Sequence, residues 1–249
     1  RPAPPYPTLL CIHGHGRGKD DVVGIAQTEE DRAHVRASNY DYAKQFVQRG
    51  YLCICPDVRC FGERAEPNGS GCSHAFQNAL LIGRQLKGMQ LWDILRAVDY
   101  ALSRADVDGE RLGCVGLSMG AELTMYASIL DERIRCAVTS GFLRVFKPEA
   151  YSRRCCPCNH VAGLMKWFDW DDLACAVAPT PLLVETGRKD WVPFDMALEA
   201  HRKAERCYRL LGIAERLEAD VHEGQHEFSG RKAFDWFDRW LKGRNCGAV

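Results

Sequence analysis

The chain has 249 residues, with 33 Lys and Arg balanced by 33 Asp and Glu. That length suits a single large α/β domain with a substantial buried core. The balanced charge offers no field to gather nucleic acid or an anionic membrane surface, and no apolar run approaches the roughly 20 residues that span a bilayer. The expected partner is a small neutral or weakly polar molecule.

Residues 1–7 are proline-rich and read as extended. They lead into Thr8-Leu-Leu-Cys-Ile12, a continuous apolar run of the kind shown by a strand buried on both faces. It closes in His13-Gly14-His15-Gly16-Arg17-Gly18. Glycines at the carboxyl end of a strand let backbone N–H groups come close to a ligand, as an oxyanion-binding loop requires. Residues 20–39 are polar and irregular, and 41–49 form a helix with Tyr42, Phe46 and Val47 on one face. A second buried strand covers 51–55, followed by Pro56-Asp57 and Arg59. An Asp57–Arg59 ion pair is expected to hold the next loop, and the composition stays loop-like to Gly88.

Leu91, Ile94, Leu95, Val98 and Leu102 recur at helical spacing and predict a helix ending near Ala105. Strand 111–115 follows, then Gly116-Leu117-Ser118-Met119-Gly120, then an apolar-faced helix over 121–130. In a strand–turn–helix setting, Gly-x-Ser-x-Gly puts the serine on a tight turn above the sheet edge, where it can act as a nucleophile. Further strands are read at 133–138, 181–187 and 217–222, with helices at 194–211 and 231–242. Strands and helices alternating in this way give right-handed β–α–β units and a parallel sheet. Residues 142–172 break the alternation and read as an insertion over the carboxyl ends of the strands.

A serine hydroxyl needs an imidazole base, and the imidazole needs a carboxylate to fix its tautomer. Asp190 follows strand 181–187 and His226 follows strand 217–222, so Ser118, Asp190 and His226 all stand at strand ends. Asp195 is the alternative acid, and it also suits the first turn of the next helix, as Glu122 suits the first turn after the serine. His222, inside its strand, reads as a core histidine. Trp167 and Trp170 in the insertion, with Trp191 beside Asp190, are the candidate substrate-contacting aromatics. The alternative for the insertion's aromatics is packing against the sheet.

The chain resembles the α/β-hydrolases, in the branch of dienelactone hydrolases, acetyl xylan esterases and prolyl oligopeptidase-like enzymes. The resemblance is carried by His13 to Gly16, Gly50-Tyr51, Pro56-Asp57 with Arg59, Phe61-Gly62, the Gly116 to Gly120 motif, Asp131 to Ile134, Pro179-Thr-Pro181, Asp190 with Val192-Pro193, and His226-Glu-Phe228. It implies an α/β-hydrolase fold: a mostly parallel sheet with helices on both faces. It also implies Ser118 as nucleophile, Asp190 as acid and His226 as base, with an oxyanion hole from the N–H groups of Met119 and His15. The expected activity is carboxylic-ester hydrolysis of a small-molecule ester, an acetylated sugar being the nearest analogy, with no cofactor. A prolyl oligopeptidase-like peptidase and a non-catalytic binding protein of the same fold are the alternatives, and a homo-oligomer is left open.

Of the 13 cysteines, Cys11, Cys53, Cys55, Cys114 and Cys136 sit inside apolar strand-like runs as buried thiols would, which favours a reducing, cytoplasmic setting. The chain begins at Arg1 and shows no signal peptide, and a removed leader stays open. Cys155-Cys156-Pro157-Cys158-Asn159-His160 has zinc-ligand chemistry without an evident second ligand pair. Cys72 with His74 is the conceivable complement, and the expectation is an inert cysteine-rich loop with no metal.

Overall fold

The structure, a computed structural model, describes residues 3–66, 71–147 and 155–243. Six strands, β1 Tyr6–Ile12, β2 Leu52–Ile54, β3 Val107–Leu117, β4 Cys136–Ser140, β5 Leu182–Gly187 and β6 Leu217–His222, form one sheet in the order β2-β1-β3-β4-β5-β6. Every pairing is parallel. The central strands carry continuous apolar runs, such as Leu9–Ile12 and Leu182–Val184, because both faces are covered there. Alternate residues divide between the faces. Leu9, Cys11, Val115, Leu117, Val138 and Leu183 pack with Tyr42, Phe46, Trp236 and Phe237. On the opposite face, Leu10, Ile12 and Cys114 meet Leu86, Ile94, Val98 and Leu123, while Ala137, Leu182 and Val184 meet Met125, Trp170, Ala200 and Tyr208.

The first face is therefore built by α3 (Tyr42–Gln48) and α9 (Ala233–Phe237), and the second by α5 (Leu86–Ser103), α6 (Met119–Leu130), α7 (Trp170–Ala176) and α8 (Phe194–Leu210). Several local expectations change. Residues 20–39 are not irregular but contain α1 (Lys19–Val23) and α2 (Glu29–Ala37), the latter opened by a Thr28/Asp31 capping box. The stretch read as loop to Gly88 holds α4 (Gly71–Leu81). In α3, Tyr42 and Phe46 are buried, but Val47 faces outward. The last helical stretch is α9 followed by one π-helical segment, Asp238–Lys242.

The Asp57–Arg59 pair does not form. Asp57 binds the Lys19 ammonium at 2.7 Å and accepts the Lys19 amide, whereas Arg59 forks onto Asp93 at 2.6 and 2.9 Å. Cys11, Cys114 and Cys136 are buried, and Cys53 and Cys55 are half-buried. Cys175 and Cys207, however, form a disulfide between α7 and α8. Such a bond persists in oxidising surroundings, so cysteine usage does not single out a reducing compartment. Among the described residues, no helix is long and apolar enough to cross a membrane.

Candidate active site

Ser118 links β3 directly to α6 with φ 60° and ψ −120°, a conformation that L-residues adopt only when the surroundings enforce it. Two constraints do so. The Ser118 amide donates to the Ser140 carbonyl on β4 at 2.8 Å. On the other side, α6 presses so closely on β1 that a Cβ on Gly120 would run into the Ile12 carbonyl. The serine motif is thus a consequence of packing a helix end against two strand ends. Met119 is the first residue of α6, where helix amides have no intrahelical acceptor and point outward from the helix start.

Asp190 and His226 arrive on adjacent loops, after β5 and β6. The Arg188 amide donates to the His222 carbonyl at 2.8 Å and the Lys189 amide to the Gly224 carbonyl at 3.0 Å, which ties the two loops together. His226 Nδ1 lies 2.9 and 3.1 Å from the two Asp190 carboxylate oxygens. One of these oxygens also accepts the Val192 amide at 3.0 Å. The carboxylate is 1% exposed and the imidazole 26%. Placing the Nδ1 proton toward the carboxylate leaves Nε2 as an acceptor. Gly141, one residue beyond the carbonyl that holds the Ser118 amide, has φ 63°. A Cβ there would sit 3.0 Å from the His226 ring and 3.2 Å from Asp190. The Trp191 ring packs on His226 at 5.2 Å. Asp195 lies in the first turn of α8. His222 is buried in β6, its Nδ1 accepting the Gly224 amide at 3.2 Å.

The loop after β1 is braced from several sides. His13 is buried, with Nδ1 2.7 Å from the Gly14 carbonyl and Nε2 accepting the Val58 amide at 3.1 Å. Burial pushes its pKa down and favours the neutral ring that this pattern needs. The Gly14 amide donates to the Tyr40 hydroxyl at 2.7 Å, and the Arg17 amide to Asp21 at 2.8 Å. His15 is exposed, its ring edge-on to Phe61 at 5.5 Å. Tyr40, Asp21 and Asp93 are supporting residues that sequence reasoning missed. Each acts on a partner far along the chain or through its backbone, and a single sequence carries no signal for such pairings.

The candidate aromatics part company. Trp170 is buried, stacked on Phe146 at 4.0 Å and tilted on Phe142 at 4.7 Å, so it serves the core that the packing alternative described. Trp167 is 84% exposed. Only Trp191 lies against a candidate catalytic group. Between Trp170 and Trp191, at 4.5 and 5.1 Å, sits the buried guanidinium of Arg144. The insertion read over residues 142–172 includes 148–154, which lie outside the described residues. Glu122 is more than a first-turn carboxylate. It is wholly buried, bound to the Lys87 ammonium at 2.7 Å, and burial raises its pKa against the pull of that partner. His160 and His74, proposed with the cysteines, turn toward the Cys156 carbonyl and Asn78 instead.

Residues 2–232 match the Abhydrolase family. YtaP of Bacillus subtilis (strain 168), named as a hydrolase, is 29% identical over 229 residues, spanning 84% of this chain and 72% of its own. Among solved structures, a protein named as an acetyl xylan esterase from Bacteroides fragilis NCTC 9343 superposes with a TM-score of 0.73 at 18% identity. The match covers 88% of this chain but 59% of that one, so this chain spans well under two thirds of that structure's length. A glucuronoyl esterase from Solibacter usitatus gives a TM-score of 0.64 at 18% identity, covering 97% and 73% of the two chains. At such identities the likeness speaks for the fold, and the fold is the α/β-hydrolase fold. With its six-stranded parallel sheet, its tight serine turn and nearly its whole length matched, the chain belongs to the Abhydrolase family of α/β-hydrolases.

Proposed function

We propose that the chain is a serine carboxylic-ester hydrolase working through Ser118, His226 and Asp190. The observation that carries this reading is the buried Asp190 carboxylate held on His226 Nδ1 at 2.9 and 3.1 Å, on a loop bordering the strained Ser118 turn. Oriented in this way, Nε2 takes the Ser118 proton as Oγ attacks the ester carbonyl carbon. The resulting oxyanion is met by the Met119 and His15 amides. The imidazolium returns its proton to the departing alkoxide, leaving an acyl-serine. Water then attacks the acyl carbon through the same base, and the carboxylic acid departs as Ser118 recovers its proton.

The Trp191 ring beside His226, itself backed by the Arg144 guanidinium, offers an apolar face to a small ester. The esterase names of the structurally similar proteins support the same class, and an acetylated sugar is the nearest analogy. The peptidase alternative is distinguished by leaving group, because an amine leaves only when protonated in the transition state. Aryl acetates should be hydrolysed with kcat/KM at least about 10³ higher than matched anilides or a prolyl anilide, a difference of about 4 kcal/mol in barrier. Comparable turnover of the prolyl anilide would transfer the assignment to a peptidase.

A further inference from the structure

Outside the proposed catalytic groups, four side chains from three separate segments converge: His15 from the loop after β1, Cys72 from the first turn of α4, and Cys156 and Cys158 flanking Pro157. Their ligand atoms all lie within 4.8 Å of one another. Cys72 Sγ is 2.7 Å from Cys156 Sγ, Cys156 Sγ is 3.3 Å from Cys158 Sγ, and His15 Nε2 is 3.2 Å from Cys158 Sγ. Cys72 and Cys158 are buried, so the thiols face one another rather than water. The neighbouring Cys155 stands apart, its sulfur taking the Asn159 amide at 3.4 Å.

From this geometry we infer that His15, Cys72, Cys156 and Cys158 form a Cys₃His zinc site that pins the oxyanion loop to α4 and to the segment around Pro157. Three soft sulfurs and one imidazole are a donor set that selects zinc. A tetrahedral zinc with Zn–S bonds of about 2.3 Å has S···S edges of about 3.8 Å. The observed S···S contacts, 2.7 and 3.3 Å, are shorter than that edge, and opening them by about 1 Å and about 0.5 Å completes it. The competing chemistry is a disulfide, whose bond is about 2.05 Å. It would join Cys72 to Cys156, using two of the sulfurs and leaving His15 and Cys158 without a role.

Four protein ligands close the coordination sphere, so the ion is structural and activates no water. Its effect on chemistry is positional. The ring of His15 becomes a ligand, and the same residue's amide is held where an oxyanion donor is needed. Asn159 stands in the second layer, its side-chain amide 3.3 Å from Cys158 Sγ, where with its O and N exchanged it would donate an N–H to the zinc-bound thiolate. The inference is independent of the esterase reading, since the site would stand whatever the enzyme hydrolyses.

The test uses the full chain, purified from zinc-supplemented culture without chelators or a polyhistidine tag. Elemental analysis should find about one zinc per chain, and cobalt(II) exchanged into the wild-type protein should show thiolate-to-metal charge transfer with the strong visible bands of a tetrahedral site. The Cys156→Ser and Cys72→Ser variants should hold less than about a tenth of the wild-type zinc, whereas Cys155→Ser should hold all of it. The wild-type cobalt spectrum decides the matter even if a variant fails to fold. Protein without zinc, a cobalt complex lacking charge transfer, zinc lost equally in Cys155→Ser, or a Cys72–Cys156 disulfide found by differential alkylation would each overturn the site.

Discussion

Replacing Asp190 with Asn tests how the base is oriented, and the geometry sets the size of the effect. The carboxylate uses its two oxygens to face His226 Nδ1 at 2.9 and 3.1 Å, and one of them also accepts the Val192 amide at 3.0 Å. Asparagine keeps the shape but retains one oxygen. If that oxygen stays with the Val192 amide, the new NH₂ group faces Nδ1, and the imidazole meets it only as an acceptor. The ring then carries its proton on Nε2 and cannot take one from Ser118. Losing the correct tautomer lowers turnover by about 10³ to 10⁴, or about 4 to 5.5 kcal/mol in barrier. The assay is kcat and kcat/KM on an aryl acetate, with thermal unfolding to confirm that the variant folds. A rate within tenfold of wild type, with His226→Ala inactive, would show that another group, Asp195 foremost, orients the base.

Two further substitutions probe the surroundings. Gly141→Ala places a methyl group 3.0 Å from the His226 ring at φ 63°. It should cost about 1–2 kcal/mol in denaturant unfolding and lower kcat at least about tenfold; unchanged kcat would mean that the ring is not held there. Glu185 is buried on β5 and accepts the Ser229 and Gly230 amides at 3.1 and 3.0 Å, with its pKa pushed up to about 8, foremost by burial. A raised acid pKa means that the folded state holds a proton the unfolded chain has lost. Stability from this group is therefore full below the usual glutamate range and falls as pH rises toward 8. Glu185→Gln removes the titration, at the loss of one accepted amide. Between pH 5 and 8 it should gain on wild type by up to about 1.4 kcal/mol per pH unit in urea unfolding, and parallel pH curves would refute the shift.

The sheet was legible in the sequence because its central strands are buried on both faces, which leaves runs such as Thr8 to Ile12 almost free of polar residues. The residues of the proposed triad were legible because each lies in the turn or loop that follows a strand. The helices α2 and α4 were not, since α2 buries only Val35 and α4 only Cys72 and Ala79, too little to impose a helical period. For α2 the Thr28/Asp31 capping box was the available signal. Side-chain partners were the least legible part. Tyr40 reaches Gly14 across 26 residues and Lys19 reaches Asp57 across 38, while the nearer Arg59 is taken by Asp93. The cysteine cluster shows the same limit. Local spacing set these cysteines beside His74 and His160, whereas the histidine that the structure brings to them, His15, comes from the loop after β1.

The central claim is that Ser118 is a nucleophile activated by His226, and covalent trapping tests it most directly. A fluorophosphonate presents a tetrahedral phosphorus whose oxygen mimics the charged intermediate, and it reacts only with a serine that has a working base and oxyanion donors. Intact-mass spectrometry after incubation should show one adduct per chain, mapped to the peptide holding Ser118 and absent from His226→Ala. An unlabelled native protein, or an adduct that forms equally well without His226, would contradict the account.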